Sequence, residues 1–582
     1  MKISRRRTAH LVAGLALCAA LTGCVQMPHD GPIVEADSKG EIDQQLGYYN
    51  DPPPPASGEG PTEIVKHFLD AMAANPIQVS TARLFLTHQA AANWSPFDRT
   101  ITYAESSLPE GVDQVGVTLN EANHLDERGA WLGSLPRAQE HMTFPMVKED
   151  GQWRIASAPD ALIVPEVWYE QNYRQVSLYF FDPTSQILIP EPVFVPRGQR
   201  LVSSLVTALV AGPPKGLTDV ERTYVPTSLK VSATTRVRAD GTAEISLLGK
   251  PADLSPENAA LMVAQFGWTL AQDPDITSLE LSIGGEQVTL AGGTTTFSVD
   301  QGLNYDPTVL QSSSLLYGLD DGRLVTGTPG AFSRVDGPMG ASDLGLSDAS
   351  VSLRATLAAG VSADRSTLYV TRVRGAGSLV DPVLQDGTDL LRPTWDFADR
   401  LWAVNRPEKA QIAYIADGRS RSVTVPGITG KHVRQALISR DGSRLVAVVQ
   451  SRGRDVIRVS RIGYDSHGRV IRASHARTIS AQLDPGVAIK DIGWASPTSI
   501  AVLARPAPTI SELRTVPVDG APAAIGSIST TWPGKVRGIA SSPTATDPLY
   551  LWTKDGLIDV TSRGATLQRL PDRLRNPDYV GG

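Results

Sequence analysis

The chain has 582 residues, of which 41% are hydrophobic and 20% charged, and this composition is ordinary for globular proteins. The length corresponds to about three or four domains, and 51 glycines and 42 prolines indicate many turns between short strands. The formal net charge of −7 argues against nucleic acid or an anionic lipid surface as the main partner.

The first residues have the pattern of a secretory signal. The cationic stretch Arg5–Arg7 precedes an apolar run, Leu11–Leu21, which is about half as long as a membrane-spanning helix. The run leads into the letters LTGC, and the four residues that end at Cys24 resemble a bacterial lipobox. We therefore expect a lipoprotein signal peptide over residues 1–23, with S-diacylglycerol and an N-acyl chain on Cys24. The alternative is an ordinary signal peptide that ends near a cysteine.

Cleavage before Cys24 leaves an acidic chain tied to a membrane. It removes Cys18 and four cations, so the formal charge falls from −7 to −11 and no disulfide pair remains. Two or three acyl chains bind firmly, so we expect the body of the protein at the extracytoplasmic face of the cell membrane. Residues 24–60, with Pro52–Pro55, predict a disordered tether that reaches up to about 110 Å. An ordinary disordered N-terminus is the alternative.

Residues 61–170 predict a small α+β domain. Pro61 suits a first helical turn, and one helical face is formed by Ile64, Val65, Phe68, Leu69 and Met72. A second helical stretch covers 81–93, and alternating residues predict strands near 115–119 and 130–132 and a hairpin that turns at Asp150-Gly151. Helices followed by an antiparallel sheet resemble the NTF2-like cone. Such cones often hold a pocket, but the sequence offers no paired acid and base to place in one.

Residues 175–300 predict a second α+β unit. A helical stripe over 201–210 ends at Gly212-Pro213, a hairpin turns at Asp240-Gly241, and Ser255 caps a helix that begins at Pro256. Alternating apolar residues over 279–283 predict a closing strand. The segments LVSSLVTALVAGPP, VRADGTAEISL and SPENAALMVAQFGWTLAQ resemble the GerMN module of sporulation and germination proteins.

Residues 305–582 predict a β-propeller, because helical stripes give way to a loose repeat. Each repeat has a Ser or Trp start, a polar turn and an apolar strand, with anchors at Ser362, Trp395, Ser439, Trp494 and Ser541. The anchor spacing is close to the ~40–50 residues of a propeller blade. Another all-β array is the alternative. The fold class is thus two small α+β domains, NTF2-like and then GerMN-like, followed by an all-β propeller.

Motifs for catalysis or metal binding are missing from the sequence. No His is followed by Glu, and neither Ser-x-x-Lys nor Gly-x-Ser-x-Gly occurs. The segment VPGITGKH departs from a phosphate loop at Val425 and His432. A zinc site assembled from distant histidines is the residual alternative. Core packing, rather than a ligand platform, is the expected role of Trp395, Trp402, Trp494 and Trp552. We therefore expect no enzyme, no cofactor and no metal.

The lipobox, NTF2-like domain, GerMN module and propeller, in this order, resemble the LpqB family of actinobacterial lipoproteins. The resemblance implies a lipoprotein accessory to the Mtr two-component system, which acts on the extracytoplasmic part of the MtrB sensor kinase and affects cell-wall and division homeostasis. Only Cys24 carries over as a functional residue. A lipoprotein that binds a cell-wall glycan or peptide in the NTF2-like pocket or the propeller channel is the second hypothesis. A hydrolase with a dispersed site is the third.

Overall fold

The computed structural model describes residues 50–582, apart from 199–200, 233–234, 251–253, 310, 376, 407, 480–482, 484–485, 523–527, 562–566 and 572. Residues 50–60, the last part of the predicted tether, belong to the described chain. The backbone of Asn50 pairs with that of Asn75 and Pro52 is buried, so this part packs on the N-terminal domain. The signal peptide over 1–23, Cys24 and the first part of the tether lie outside the described residues.

The N-terminal domain packs one long helix against two sheets. Its helices are Pro61–Met72, Ser80–Arg83, His88–Asn93 and Arg137–Glu140. One sheet has the order Trp131–Ser134, Asn123–Leu125, Thr100–Tyr103 and Leu162–Pro165, with the last pair parallel. The other has the order Glu105–Ser106, Gln114–Asn120, His141–Glu149 and Gln152–Ile155, with Glu110–Gly111 paired to the second strand. All five predicted face residues of the first helix are buried.

The prediction of one helix over 81–93 is wrong, because two short helices occupy this stretch. Phe85 and Thr87 exchange backbone hydrogen bonds with Ile155 of the neighbouring strand, and this pairing interrupts the helix. The Thr87 side chain then accepts from the Ala90 N–H and starts the second helix. The sequence carries the helical spacing but gives no sign of this distant strand partner.

The middle domain begins with a long hairpin and continues as a sheet crossed by a helix. Helix Glu166–Asn172 leads into strands Tyr173–Phe181 and Leu188–Pro196, which pair along their full length. Helix Leu201–Val210 follows. The sheet contains Lys230–Val231, Arg236–Val237, Thr242–Leu248, Ser278–Ile283, Glu286–Gln287 and Thr296–Ser298. The two central strands are parallel and are joined by helix Pro256–Leu270, and a 3-10 helix, Val299–Tyr305, ends the domain.

The local predictions for the middle domain are confirmed where the structure describes them. The Ser255 hydroxyl accepts from the Asn258 N–H, and Pro256 is the first residue of the helix. The strand over 278–283 buries alternate residues, as its pattern predicts.

Six sheets form the C-terminal propeller in the part that the structure describes. Blade 1 has strands Leu316–Asp320, Arg323–Thr328 and Ala331–Arg334, with Leu574–Asp578 paired beside the first, and helix Pro338–Ala341 follows it. Blade 2 is Leu346–Val351, Leu357–Ser362, Leu368–Arg372 and Asp381–Leu384. Blade 3 is Thr394–Trp395, Leu401–Asn405, Gln411–Ala416 and Arg419–Val423.

The remaining blades continue the series. Blade 4 is His432–Ile438, Arg444–Ser451, Arg454–Tyr464, Val470–Ala473 and Arg477–Ile479. Blade 5 is Ala488–Ser496, Ser499–Ala507, Ile510–Pro517 and Ser529–Pro533. Blade 6 is Gly538–Ala540, Tyr550–Trp552, Leu557–Asp559 and Leu567–Gln568. The last strand of the chain, in blade 1, contacts the first strands of blades 2 and 6, so the ring is closed.

One of the five repeat anchors is out of phase with the others. Trp395, Ser439, Trp494 and Ser541 lie on or directly after the first strand of a blade, whereas Ser362 ends the second strand of blade 2. Ser362 and Ser439 each donate to an aspartate two residues later, so both turns have the same local chemistry. Turn chemistry alone therefore does not tell which turn of a blade a sequence belongs to.

Candidate functional site

The predicted tryptophans serve the propeller core. Trp395, Trp402 and Trp494 are buried, while Trp552 is partly buried. The Trp395 indole donates to the Ser350 hydroxyl of blade 2 at 3.0 Å, and the Trp494 indole donates to the Ile438 carbonyl of blade 4 at 2.8 Å. Each of these two hydrogen bonds therefore links a blade to the preceding blade. The prediction of core packing is confirmed for the three buried rings.

The buried side chain of Arg440 binds the segment that connects the middle domain to blade 1. Arg440 follows the first strand of blade 4 and is 4% exposed. Its guanidinium donates to the Thr308 carbonyl at 2.8 Å and the Ser312 hydroxyl at 2.9 Å, which belong to the connecting segment. It also donates to the hydroxyls of Ser542 and Thr544 after the first strand of blade 6. This end of the channel is therefore covered by the chain itself.

Four charged residues join the middle domain to the propeller, three of them buried and Arg461 half-buried, and we call them the junction cluster. They are Glu191 of the long hairpin, Glu221 of the loop before the middle-domain sheet, and Arg444 and Arg461 of blade 4. Glu191 accepts from both guanidinium groups, each at 2.5 Å, and Arg461 also pairs with Glu221. Buried charges are costly unless they are paired, so this contact requires the two domains to keep one relative position.

The pKa values of the two carboxyl groups in the junction cluster are shifted in opposite directions. Burial disfavours the charge of Glu191, but Arg461 and Arg444 outweigh it and lower the pKa to about 2. Burial, with the Glu191 charge as the second cause, raises the pKa of Glu221 well above its ordinary value. The cluster therefore has one ionised carboxylate between two guanidinium groups, and a second carboxyl that retains its proton to higher pH.

Further contacts extend the docking surface on both sides of the cluster. Asp219 accepts from the Arg472 guanidinium at 2.7 Å, and its carbonyl accepts from the Tyr464 N–H at 2.7 Å. The Gly129 carbonyl of the N-terminal domain accepts from the Phe194 N–H at 2.8 Å. Gly129 has a positive φ, and a Cβ there would lie 2.1 Å from the Phe194 carbonyl oxygen, so this close approach requires glycine.

A cavity of about 340 Å³ lies where all three domains meet. Its charged walls include Arg128 of the N-terminal domain, Lys215 of the middle domain, and Arg477 and Asp519 of the propeller. Arg128 pairs with Asp126, and the Arg477 guanidinium donates to the Asp519 carbonyl at 2.7 Å. Most of these charges thus have partners within the protein, which is what a docking contact requires.

Metal sites and membrane-spanning helices are not found within the described residues. No group of three His, Cys, Asp or Glu within the described residues could hold a metal ion. In the same part of the chain, no helix has the length and apolar character needed to cross a bilayer. Within the junction cluster, the two guanidinium groups stay protonated and act only as hydrogen-bond donors.

Three family profiles match successive parts of the chain. They are described as "Lipoprotein LpqB, N-terminal domain" over residues 54–170, "Sporulation and spore germination" over 177–289 and "Lipoprotein LpqB beta-propeller domain" over 322–577. The chain belongs to the LpqB family of lipoproteins. The fold class is also confirmed, since two α+β domains precede an all-β propeller in both the profiles and the structure.

Relatives in the family come from several actinobacteria. Lipoprotein LpqB of Streptomyces avermitilis is 27% identical over 625 residues and covers 99% of each chain. That of Mycobacterium tuberculosis is 26% identical over 483 residues, 76% of this chain and 78% of the relative. Solved structures with similarity include the first GerMN domain of Bacillus subtilis GerM, 22% identical over 22% of this chain and 94% of that one, with a TM-score of 0.18. A nidogen/laminin complex covers 45% of this chain and 97% of that one at 10% identity, with a TM-score of 0.33.

Sequence reasoning missed the junction cluster completely. Glu191 is separated from its two arginine partners by 253 residues in one case and 270 in the other. Arg444 and Arg461 each follow a serine and precede an apolar residue, and arginines are usually exposed, so neither is marked in the sequence as buried. The one available signal is Glu191 itself, an acid within the otherwise apolar segment ILIPEPVFV.

Proposed function

We propose that this protein is an extracytoplasmic lipoprotein, anchored in the cell membrane through Cys24, that binds the MtrB sensor kinase and modulates it. Membership of the LpqB family supports a lipoprotein, and the lipobox-like pattern before Cys24 supports cleavage after residue 23. Residues 24–49 then serve as the tether. We further propose that the protein acts by binding alone, without an enzymatic activity or a cofactor.

The junction cluster is the observation that favours a regulator most directly. A binding partner shifts the equilibrium of a kinase only when it binds one kinase state more tightly than the other. Such discrimination is easier for a body of fixed shape than for domains that move independently. Buried pairing of Glu191 with Arg444 and Arg461 supports a fixed relation between the middle domain and the propeller.

Binding can be tested with soluble residues 25–582 and the isolated extracytoplasmic domain of MtrB. We expect saturable binding, and hydrogen exchange of the complex should show protection on a continuous surface of this chain. A propeller protein of similar size from another family serves as the control. Exchange that is unchanged at every peptide, together with no saturable binding, would contradict the proposal.

The second hypothesis, a wall-polymer site in the propeller channel, loses support in that form. A polymer site in the channel would use tryptophans as platforms, but Trp395, Trp402 and Trp494 are buried, and the segment held by Arg440 covers one end of the channel. The core of the N-terminal domain is likewise filled by side chains such as Phe68, Phe144 and Trp94.

A further inference from the structure

The turns of the propeller lie on two opposite faces, and the other domains dock on one of them. Neighbouring strands of a blade are antiparallel, so the turns from strand 1 to 2 and from strand 3 to 4 share one face. Arg440 and Arg444, after strand 1 of blade 4, bind the connecting segment and Glu191 there. Ala521, after strand 3 of blade 5, packs in the core of the N-terminal domain. We call this the docked face. The open face has the turns from strand 2 to 3 and the connections between blades.

Exposed cations gather on the open face of blades 3 to 6. They lie in the turns from strand 2 to 3, in the connections between blades, or at the strand ends beside them. The set, which we call the basic arc, is Lys409, Lys431, Arg452, Arg454, Lys490, Lys535, Arg537, Lys554 and Arg569. The exposed acids described at these positions are Glu408 and Asp555. The arc is therefore strongly positive, although the chain as a whole has a formal charge of −7.

Backbone contacts bring the cations of blades 3 and 4 together. The Ala410 N–H donates to the Lys431 carbonyl at 3.0 Å, so Lys409 and Lys431 lie side by side although they belong to different loops. In blade 4, the residue after Lys431 pairs with the strand that leads into the turn at Arg452, and Arg454 pairs across the same turn. These four cations therefore form one continuous patch.

The arc continues through blades 5 and 6. The Gln435 side chain of blade 4 donates to the Lys490 carbonyl of blade 5 at 3.2 Å. The Arg537 guanidinium, between blades 5 and 6, lies over the Trp552 ring at 5.5 Å from its centroid. Trp552 ends the strand that leads into the turn with Lys554. The positive surface thus runs across four successive blades.

The cations of the basic arc differ from other arginines of the propeller in having no ion pair. Arg365, Arg406 and Arg434 each pair with an aspartate at the same face. None of the nine arc residues forms an ion pair with an acid that the structure describes. Like charges on neighbouring turns repel each other, and a partner with repeated negative charges relieves this repulsion.

The remaining part of the open face carries the opposite charge. Asp336, Asp343, Asp364 and Asp386 are exposed on the open side of blades 1 and 2. A flat anionic membrane that covered the whole face would meet these acids, whereas a narrow chain can follow the arc and avoid them. The N-terminal domain, where the described chain begins at Asn50, packs on the docked face, so the arc is opposite the end that leads to the tether.

We propose that the basic arc binds a linear polymer with repeated phosphate or carboxylate groups, which crosses the open face of blades 3 to 6. This inference goes beyond the proposed function, since polymer binding does not require the kinase. It also differs from a wall-polymer site in the channel, because exposed cations bind the charges of the polymer and no aromatic platform is needed.

The first test is titration calorimetry of residues 25–582 with inorganic polyphosphate and with poly-L-glutamate, at about 50 and about 150 mM salt. We expect saturable binding of at least one polymer, and weaker binding at the higher salt, because the polymer releases its counterions when it binds. The two polymers distinguish a phosphate source of the charge from a carboxylate source. Phosphatidylglycerol vesicles, in cosedimentation, test an anionic membrane, and we expect no binding to them through the arc.

A triple variant removes three neighbouring cations from the open face of blade 4. It combines Lys431→Gln, Arg452→Gln and Arg454→Gln, and it should bind the polymer about tenfold more weakly at the lower salt. The three side chains are exposed and have no ion pair with a described acid, so the thermal midpoint should stay unchanged or rise.

The matched control changes the net charge by the same amount elsewhere. It combines Lys148→Gln, Lys230→Gln and Lys250→Gln, which are exposed lysines of the N-terminal and middle domains. Polymer binding by this control should stay within about twofold of wild type, because screening by salt confines the effect of a charge to its surroundings.

Three results would overturn the proposal. They are no binding of either polymer at the lower salt, equal weakening of binding by the triple variant and the control, and vesicle binding that the triple variant abolishes. Failure of the polymer site is distinguishable from failure of the regulator, because binding to the extracytoplasmic domain of MtrB is measured in a separate titration without polymer.

Discussion

The two glutamates of the junction cluster should respond very differently to the same substitution. Glu191→Gln removes the charge that pairs with Arg444 and Arg461 and leaves the buried Arg444 and the half-buried Arg461 without it. A shift in the pKa of Glu191 from 4.5 to about 2 corresponds to ~3 kcal/mol of folding free energy, because each pKa unit is worth ~1.4 kcal/mol. Glu221→Gln imitates the protonated form that burial favours, so we expect it to stabilise the protein at neutral pH, the opposite sign from Glu191→Gln.

The pH dependence gives the two residues opposite signs. Since the pKa of Glu191 is lowered in the folded protein, its stabilisation is present above about pH 4.5 and is lost as the pH falls towards about 2. Since the pKa of Glu221 is raised, its stabilisation is present below its ordinary pKa of 4.5 and is lost as the pH rises through the folded value. The advantage of Glu221→Gln over wild type should therefore grow as the pH rises above 4.5 towards the folded pKa of Glu221.

Denaturant unfolding of residues 25–582, followed by tryptophan fluorescence, measures these differences. Wild type, Glu191→Gln and Glu221→Gln are compared at about pH 7 and about pH 9, and the difference between each variant and wild type is the quantity of interest. Equal destabilisation by the two substitutions, or a larger effect of Glu221→Gln, would refute the assignment of the charge to Glu191.

Three further predictions concern Arg440 after the first strand of blade 4, Asp491 on the first strand of blade 5, and the anchor at Cys24. Arg440→Met removes the hydrogen-bond donors that hold the segment around Thr308, so it should lower the free energy of unfolding by ~3 kcal/mol. A broad-specificity protease should also cleave this segment faster than in wild type. An unchanged cleavage pattern would contradict this prediction. Burial raises the pKa of Asp491 to about 7, so its stabilisation is lost as the pH rises from about 4 through 7. Asp491→Asn should therefore be more stable than wild type at about pH 8 by ~4 kcal/mol in denaturant titrations, and equal stabilities there would be inconsistent with this prediction. Cys24→Ala should release the protein from membranes or leave the leader uncut on fractionation and mass analysis, and a variant that is both cleaved and membrane-bound would rule out the lipid anchor.

Local structure was largely predictable from the sequence where one face of an element is buried. Periodicity predicted helix Pro61–Met72 and strand Ser278–Ile283, because an amphipathic element repeats its burial along the chain. The helix cap at Ser255 and the hairpin turn at Asp150-Gly151 were also predictable from the sequence. These signals depend only on residues close in sequence.

Features that depend on distant residues were not predictable. The split helix near Thr87 depends on Ile155, and the junction cluster depends on pairs more than 200 residues apart. The cavity of about 340 Å³ is lined by residues of three domains, and the sequence around each of these residues does not indicate a cavity. A single sequence carries the chemistry of each residue but not the tertiary contact that buries it.

The central claim, that this lipoprotein modulates a sensor kinase, is tested most directly by kinase activity in vesicles. Full-length MtrB is reconstituted with the lipidated mature chain, with the soluble Cys24→Ala form at the same total concentration, or alone, and autophosphorylation is followed with time. Anchoring raises the effective concentration at the membrane, so we expect a change in rate with the lipidated chain at amounts where the soluble form has little effect. A rate that is the same in all three samples would contradict the account.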